Sequence, residues 1–264
     1  MKANTNYNFK VVHIVDFELF DEKATANSTY DIQFEQLESK NLHIEVRRND
    51  FKVNDKKIES KLEEIAYEYN NSIFPVLFNV EDRAFSISNY SEIAERIKAK
   101  DEELKLKHEG PEFEYIRNEF LENAAKDENS ITQYFSSLGL MKVVMLCFQE
   151  AENQERYHFH WDIIPIEANF SWDGKIKFDS TLKMLILEGY EANNEELFKK
   201  IKECAIAYMS PEQLTDLEAP TSASVKNKTQ FVNTKLDLEF SETEVKINNP
   251  YFNYHETLSI NRKY

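Results

Sequence analysis

Residues 129–148 read NSITQYFSSLGLMKVVMLCF. Ile131, Tyr134, Phe135 and Leu138 recur at helical spacing and make one apolar stripe. After Gly139 the polar face disappears: Leu140, Met141, Val143, Val144, Met145, Leu146, Cys147 and Phe148 are apolar on every side, with Lys142 the exception. A helix that is apolar all round is buried on all sides or lies in a membrane. This apolar run is about half of the roughly 20 residues that a bilayer span needs, so the reading is a core helix. A short buried strand after Gly139 is the alternative, because periodicity does not separate the two in so short a run.

Working outward, the helical signal extends back to residue 89. Asn89 with Glu92 fits a capping box, and Ile93, Ile97 and Leu104 give α-helical spacing in a segment otherwise charged. Opposite charges four apart, Glu92–Arg96 and Glu103–Lys107, suit an exposed helix face. Gly110-Pro111 stops one helix and starts the next, which carries Phe113, Ile116, Phe120, Leu121 and Ala124. Residues 127–130 then cap the central segment. Residues 89–149 therefore read as a helical insertion, charged first and buried last.

Strand patterns flank it. Phe9, Val11, His13, Val15, Phe17 and Leu19 alternate along a first long strand. Residues 21–28 read as a loop, Tyr30, Ile32 and Phe34 as a second strand, Leu42, Ile44 and Val46 as a third, and 47–50 as a turn. A helix capped by Asn54 or Asp55 buries Ile58, Leu62, Ile65, Ala66 and Tyr69. Residues 73–80 and 84–88 are strands around a turn at 81–83, with Pro75 at a strand start or edge.

Beyond the insertion, 157–166 is a strand, and Asp173-Gly174 signals a hairpin turn. Residues 181–188 are a strand, and Asn194 caps a helix that buries Leu197, Phe198, Ile201, Cys204, Ala205 and Tyr208. Ser210-Pro211 opens a further helix, 217–228 is a loop, 230–240 a strand, Ser241-Glu242 a turn, and 256–261 the last strand. The fold class expected is α+β over one domain, 1–264. A mostly antiparallel curved sheet from N- and C-terminal strands, the C-terminal part spanning 156–264, packs on the helical insertion and its buried core helix.

Composition narrows function. The net charge of −16 repels phosphate backbones and anionic membranes, so nucleic acid and membrane insertion are not expected. Nineteen Phe and thirteen Tyr supply large side chains for a core, and only four Gly leave little for phosphate-cradling loops. No GxGxxG, GxxxxGK[ST] or GxSxG occurs, and no cofactor is expected. Cys147 and Cys204 lie in apolar helical patterns and read as core residues rather than nucleophiles. The start of the chain shows no continuous apolar stretch of the signal-peptide kind, and the Asn, Lys, Ile and Glu bias suits an AT-rich bacterial genome. The expectation is a cytoplasmic protein.

Three sites follow from the pattern. The acidic surface points to a basic protein partner, as in an immunity-type neutraliser or an adaptor. Its candidate residues are Glu81, Asp82 and Arg83 at a hairpin tip and Glu102, Glu103 and Glu109 on the charged helix. An apolar ligand pocket would draw on Phe159, Trp161, Met141 and Met145. His158 and His160, about 7 Å apart on one strand face beside Asp162, form a metal pair that needs a third ligand, for which His13 and His255 are the strand histidines. With 48 carboxylates in the chain, acidic pairs arise by chance and no catalytic residue is assigned.

Overall fold

The computed structural model describes residues 5–19, 22–37, 42–54, 56, 60–81, 84–148, 154–163, 168–191, 194–206, 222–232 and 237–264. Eleven strands form one sheet in the order β5-β4-β3-β2-β1-β11-β10-β9-β8-β7-β6. They are β1 Thr5–Leu19, β2 Glu22–Leu37, β3 Leu42–Val53, β4 Val76–Glu81, β5 Ala84–Ile87, β6 Gln154–Ile163, β7 Ala168–Asp179, β8 Met184–Glu191, β9 Ser222–Phe231, β10 Leu238–Asn249 and β11 Phe252–Lys263. Six α-helices accompany them: α1 Lys61–Ser72, α2 Tyr90–Lys107, α3 Pro111–Glu119, α4 Glu128–Ser137, α5 Gly139–Phe148 and α6 Asn194–Ala205, with a π-helical turn at Phe120–Ala124. The fold is α+β with a large antiparallel sheet. The chain divides into two compact units, one of Met1–Val11, Ser28–Met145 and Arg262–Tyr264, the other of Val12–Asn27 and Leu146–Asn261.

The stretch 129–148 is helical, but as two helices. Asp127 caps α4 by accepting from Ser130 N at 2.8 Å, and the helix breaks at Leu138, whose ψ of 127° is extended. Ile131 and Phe135 of α4 and Leu140, Met141, Val143 and Val144 of α5 are buried. Phe135 packs on Phe74 and Phe78, each with ring centroids 6.1 Å away. The side chains of residues 146–148, Cys147 among them, lie outside the described set.

Helix α1 begins later than its caps suggested. Asn54 has a positive φ of 50° in the turn after β3, and the helix starts at Lys61 behind Ser60. Asp55 and Ile58 lie outside the described residues. Leu62 is 44% exposed rather than part of the buried stripe, which is Ile65 and Tyr69. Residues 47–50 continue β3 instead of turning. Asp50 at φ 51° and the register shift opposite Thr29 and Asp31 mark a bulge, which uses the same polar residues as a turn. Asn89 caps nothing through its side chain. It accepts from Leu77 N at 2.9 Å and donates to Pro75 O at 3.1 Å. Arg96 clamps the same junction, donating from Nη2 to Ile73 O at 2.8 Å and Pro75 O at 2.7 Å, and from Nε to Ser72 O at 3.2 Å.

In the second unit Asp173-Gly174 does not turn the chain. Both lie inside β7, where Gly174 pairs with Gly189 of β8. A Cβ on Gly174 would stand 2.7 Å from Glu188 O, so its glycine serves a close backbone approach. The reversal comes at 180–183, where Asp179 accepts from Thr181 N at 2.9 Å and Leu182 N at 3.0 Å. Helix α6 buries Leu197, Ile201 and Ala205, with Phe198 and Cys204 half-buried. Residues 207–221, which take in Tyr208 and the expected Ser210-Pro211 helix start, lie outside the described residues, as do 38–41 and 233–236.

Three further loop or turn expectations are strands. Residues 22–27 belong to β2 and are exposed or half-exposed, so the ladder and not burial holds them. Residues 222–228 belong to β9, and Ser241-Glu242 lies inside β10. The reason is a polar interior: Asn227, Thr229, Ser241 and Thr243 are all buried. Asn227 Nδ2 donates to Ser241 Oγ at 3.0 Å and Thr243 Oγ1 at 2.9 Å, and Thr229 Oγ1 donates to Asn227 Oδ1 at 2.8 Å. A strand whose inward residues are hydroxyls and an amide carries no apolar alternation to read.

The six strands from β11 to β6 also roll. Trp161 Nε1 on β6 donates to Glu256 Oε2 on β11 at 2.8 Å. Laid flat, five strand spacings would separate them by about 24 Å. Glu256 is 3% exposed and accepts as well from Tyr254 at 2.7 Å, while His13 Nε2 lies 2.7 Å from its other oxygen.

Candidate binding site

A groove of about 550 Å³ opens in the first unit between α1, α3 and α4. Ala66, Tyr69 and Asn70 come from α1, Tyr115, Ile116 and Glu119 from α3, Phe120 from the π turn, and Ser130, Gln133, Tyr134 and Ser137 from α4. The apolar stripes of three amphipathic helices converge here without filling the space. Tyr69 and Phe120 stack with centroids 5.1 Å apart and form a buried floor. Tyr115 stays 68% exposed at the mouth. Tyr134 donates to Asn70 Oδ1, which fixes one wall.

Beneath the floor lies an ionic knot. Asp101 stands on the buried stripe of α2, one turn beyond Ile97. It accepts from Tyr69 at 2.8 Å, from Arg117 Nε at 2.7 Å and Nη2 at 3.3 Å, and pairs with Lys105 at 2.6 Å. Burial pushes its carboxyl up, but the donors from Arg117, Lys105 and Tyr69 outweigh that and hold it at about 2. Burial, then Asp101, drives the Tyr69 phenol far above its usual range, so it stays a neutral donor.

Glu119 lines the groove. The first turns of the three helices carry Glu63 and Glu64, Glu112 and Glu114, and Glu128. The last turns of α1 and α4 carry no base, and that of α3 has Arg117, already held by Asp101. An apolar trough formed by helices with acidic first turns is suited to a segment that is apolar on one side and basic on the other.

The residues singled out from the sequence lie elsewhere. Asp82 and Arg83 are outside the described residues, as is the side chain of Glu81. Glu102 and Glu109 are exposed. Glu103 bonds Lys100 and Lys107, so part of the charge on α2 is neutralised within the helix. Met141 and Trp161 are core residues, Met145 is half-buried, and the Phe159 side chain is outside the described set. His158 pairs with Asp173 across the β6–β7 ladder, His160 is exposed, His13 is at Glu256 and His255 is 3.1 Å from Glu244. Among the described residues no three His, Cys, Asp or Glu side chains gather as a metal would require. The groove itself was half legible: Tyr134 falls on the α4 stripe and Ile116 on the α3 stripe, yet nothing in the pattern shows that the helices stand apart there.

No protein-family model matches the chain, and no curated protein matches it. Among solved structures, it is similar to a chain from work on lipid-protein interactions in lipovitellin, with a TM-score of 0.44 and 6% identity over 98% of this chain. The overlay takes in 25% of that chain, so this protein spans about a quarter of its length. A likeness that weak carries no argument about fold or function. Among the described residues no helix is long and apolar enough to cross a membrane.

Proposed function

We propose that the protein is a non-catalytic, cytoplasmic interaction protein that docks a basic amphipathic segment of a partner protein in the groove between α1, α3 and α4. The observation that supports it is an apolar, aromatic trough with Glu119 in its lining, formed by three helices with acidic first turns in a chain of net charge −16. A helix laid in a groove places apolar anchors one turn apart in the trough and turns its charges to the edges. The acidity outside the trough speeds encounter and rejects acidic competitors. An immunity-type neutraliser or an adaptor in a larger assembly works this way. This reading takes residues 1–264 as one domain, with 89–149 as the insertion that brings α3 and α4 to α1.

The test uses fluorescein-labelled peptides read by anisotropy. One carries leucines at helical spacing with lysines on the other face, a second replaces lysine by glutamate, and a third scrambles the first. The lysine peptide is expected to bind, more weakly as salt rises, and the other two are not. Gln133→Arg, an exposed groove change, is expected to weaken binding by about tenfold, the effect of roughly 1.4 kcal/mol. Equal binding of the ordered and scrambled lysine peptides, unchanged by Gln133→Arg, would show charge attraction without a docking site.

A further inference from the structure

A second cleft in the first unit, of about 590 Å³, shares no residue with the helical groove. Asn8 on β1 and Asp31 and Gln33 on β2 line it. They alternate with the buried Phe9, Ile32 and Phe34, so they stand on the face turned away from the core. Asn49 on β3 is the ladder partner of Asp31 and lines the cleft with it. Asp50 lines it too, although successive strand residues ordinarily point to opposite faces. Its φ of 51° at the β3 bulge is what turns it to the same side.

Two residues of the last stretch complete the lining. Lys263 on β11 pairs with Asp31. Tyr264 is 93% exposed, with the Arg262 guanidinium carbon 5.3 Å from its ring centroid. Among the described residues, the side chains of Asn8, Gln33, Asn49 and Asp50 have no hydrogen-bond partner within the protein. The cleft therefore presents three planar amides and a carboxylate whose polar atoms are all available to a ligand.

The volume falls within the roughly 300–1,000 Å³ of small-molecule sites, which are mostly apolar. This one is polar, so its occupant has to be polar over most of its own surface. Two carboxylates stand against one ammonium in a chain of net charge −16, which disfavours phosphates and acids. A cation would compete with Lys263 for Asp31. Hydroxyl groups both donate and accept, and the lining matches that: amides do both, carboxylates accept and the ammonium donates. The exposed ring of Tyr264 adds a flat apolar surface at one side.

The geometry points to a binding site for a neutral pyranose sugar, its hydroxyls held by Asn8, Gln33, Asn49 and Asp50 and its C–H face laid on Tyr264. A pyranose joins a hydroxylated rim to a flat C–H face, which is the combination this cleft meets. The site is independent of the peptide trough, and Gln133→Arg is expected to leave it unchanged.

The test follows the side-chain NH2 resonances of Asn8, Gln33 and Asn49 in 1H–15N spectra. Methyl α-D-glucopyranoside, methyl α-D-mannopyranoside and methyl β-D-galactopyranoside are titrated separately, with sorbitol, spermidine and calcium chloride as controls at matched ionic strength. At least one glycoside is expected to move all three amide groups saturably, and sorbitol, which has the hydroxyls but no ring, is not. Asn49→Leu is expected to weaken the response about tenfold and Tyr264→Ala about fivefold. Both residues are exposed, so neither change disturbs the core. Stationary amide signals with all three glycosides, an equal response to sorbitol, or an undiminished response in either variant would each overturn the assignment. So would a stronger response to spermidine or calcium, which would make the cleft a cation site.

Discussion

Two carboxylates show how differently a buried acid is held. Asp101 gathers two bases and a phenol, and its folded value of about 2 lies below the 3.8 of a free aspartate. Its charged form therefore stabilises the fold above that pH, and the contribution disappears as the pH falls through about 4 to about 2. We expect Asp101→Asn to cost about 2 kcal/mol at pH 7 in chemical denaturation, and the gap to the unsubstituted protein to close between pH 4 and 2. A gap constant across that range would mean Asp101 is not charged by this knot. Glu256 instead meets Trp161, Tyr254 and His13. Removing it orphans several donors at once, so Glu256→Ala is expected to cost about 3 kcal/mol and Glu256→Gln clearly less, since one acceptor survives. Equal losses for the two would show that the acceptors are not what the site provides. Gly174 makes a related point: its Asp-Gly signature is genuine turn chemistry, but the constraint that fixes it is Glu188 O 2.7 Å from a would-be Cβ, which one strand alone never displays.

Among elements, those with apolar periodicity were legible and those without it were not. The stripes Ile93, Ile97, Leu104 and Leu197, Ile201 placed α2 and α6, and Phe9, Val11 and Val15 placed β1. β9 escaped because Asn227 and Thr229 point inward and bond Ser241 and Thr243 of β10. The first half of β2 escaped because it is a ladder without a buried face. The four-residue polar cluster makes its own prediction. Asn227→Leu alone should destabilise by about 2 kcal/mol, because hydroxyls are left buried without partners. Joined with Thr229→Val, Ser241→Ala and Thr243→Val, it should recover most of that loss, read by urea denaturation. A quadruple variant worse than the single one would mean packing, not satisfaction, governs this interior. The groove is illegible for a further reason: periodicity says which face of a helix is covered, but not how far its neighbour stands off.

For the molecule as a whole, the total of charges was readable at once and its distribution was not. An excess of 16 acidic residues over basic ones looks like one anionic surface. In the structure Glu103 is tied to Lys100 and Lys107 and Glu114 to Arg117, while Glu119 lines the groove. The field at a distance still follows the sum, so no retention of duplex DNA is expected in a mobility-shift assay at physiological salt. A retained complex would mean that local positive charge overrides the net charge.

β1 has β2 on one side and β11 on the other. On a translating ribosome β1 emerges before every other strand, and one of its two ladders has no partner until β11 has been made. While β2 to β10 are being made that flank is an open edge, the kind of surface that recruits other chains. The polar character of β1 at Lys10, Asp16 and Glu18 then guards the nascent chain as well as the finished one.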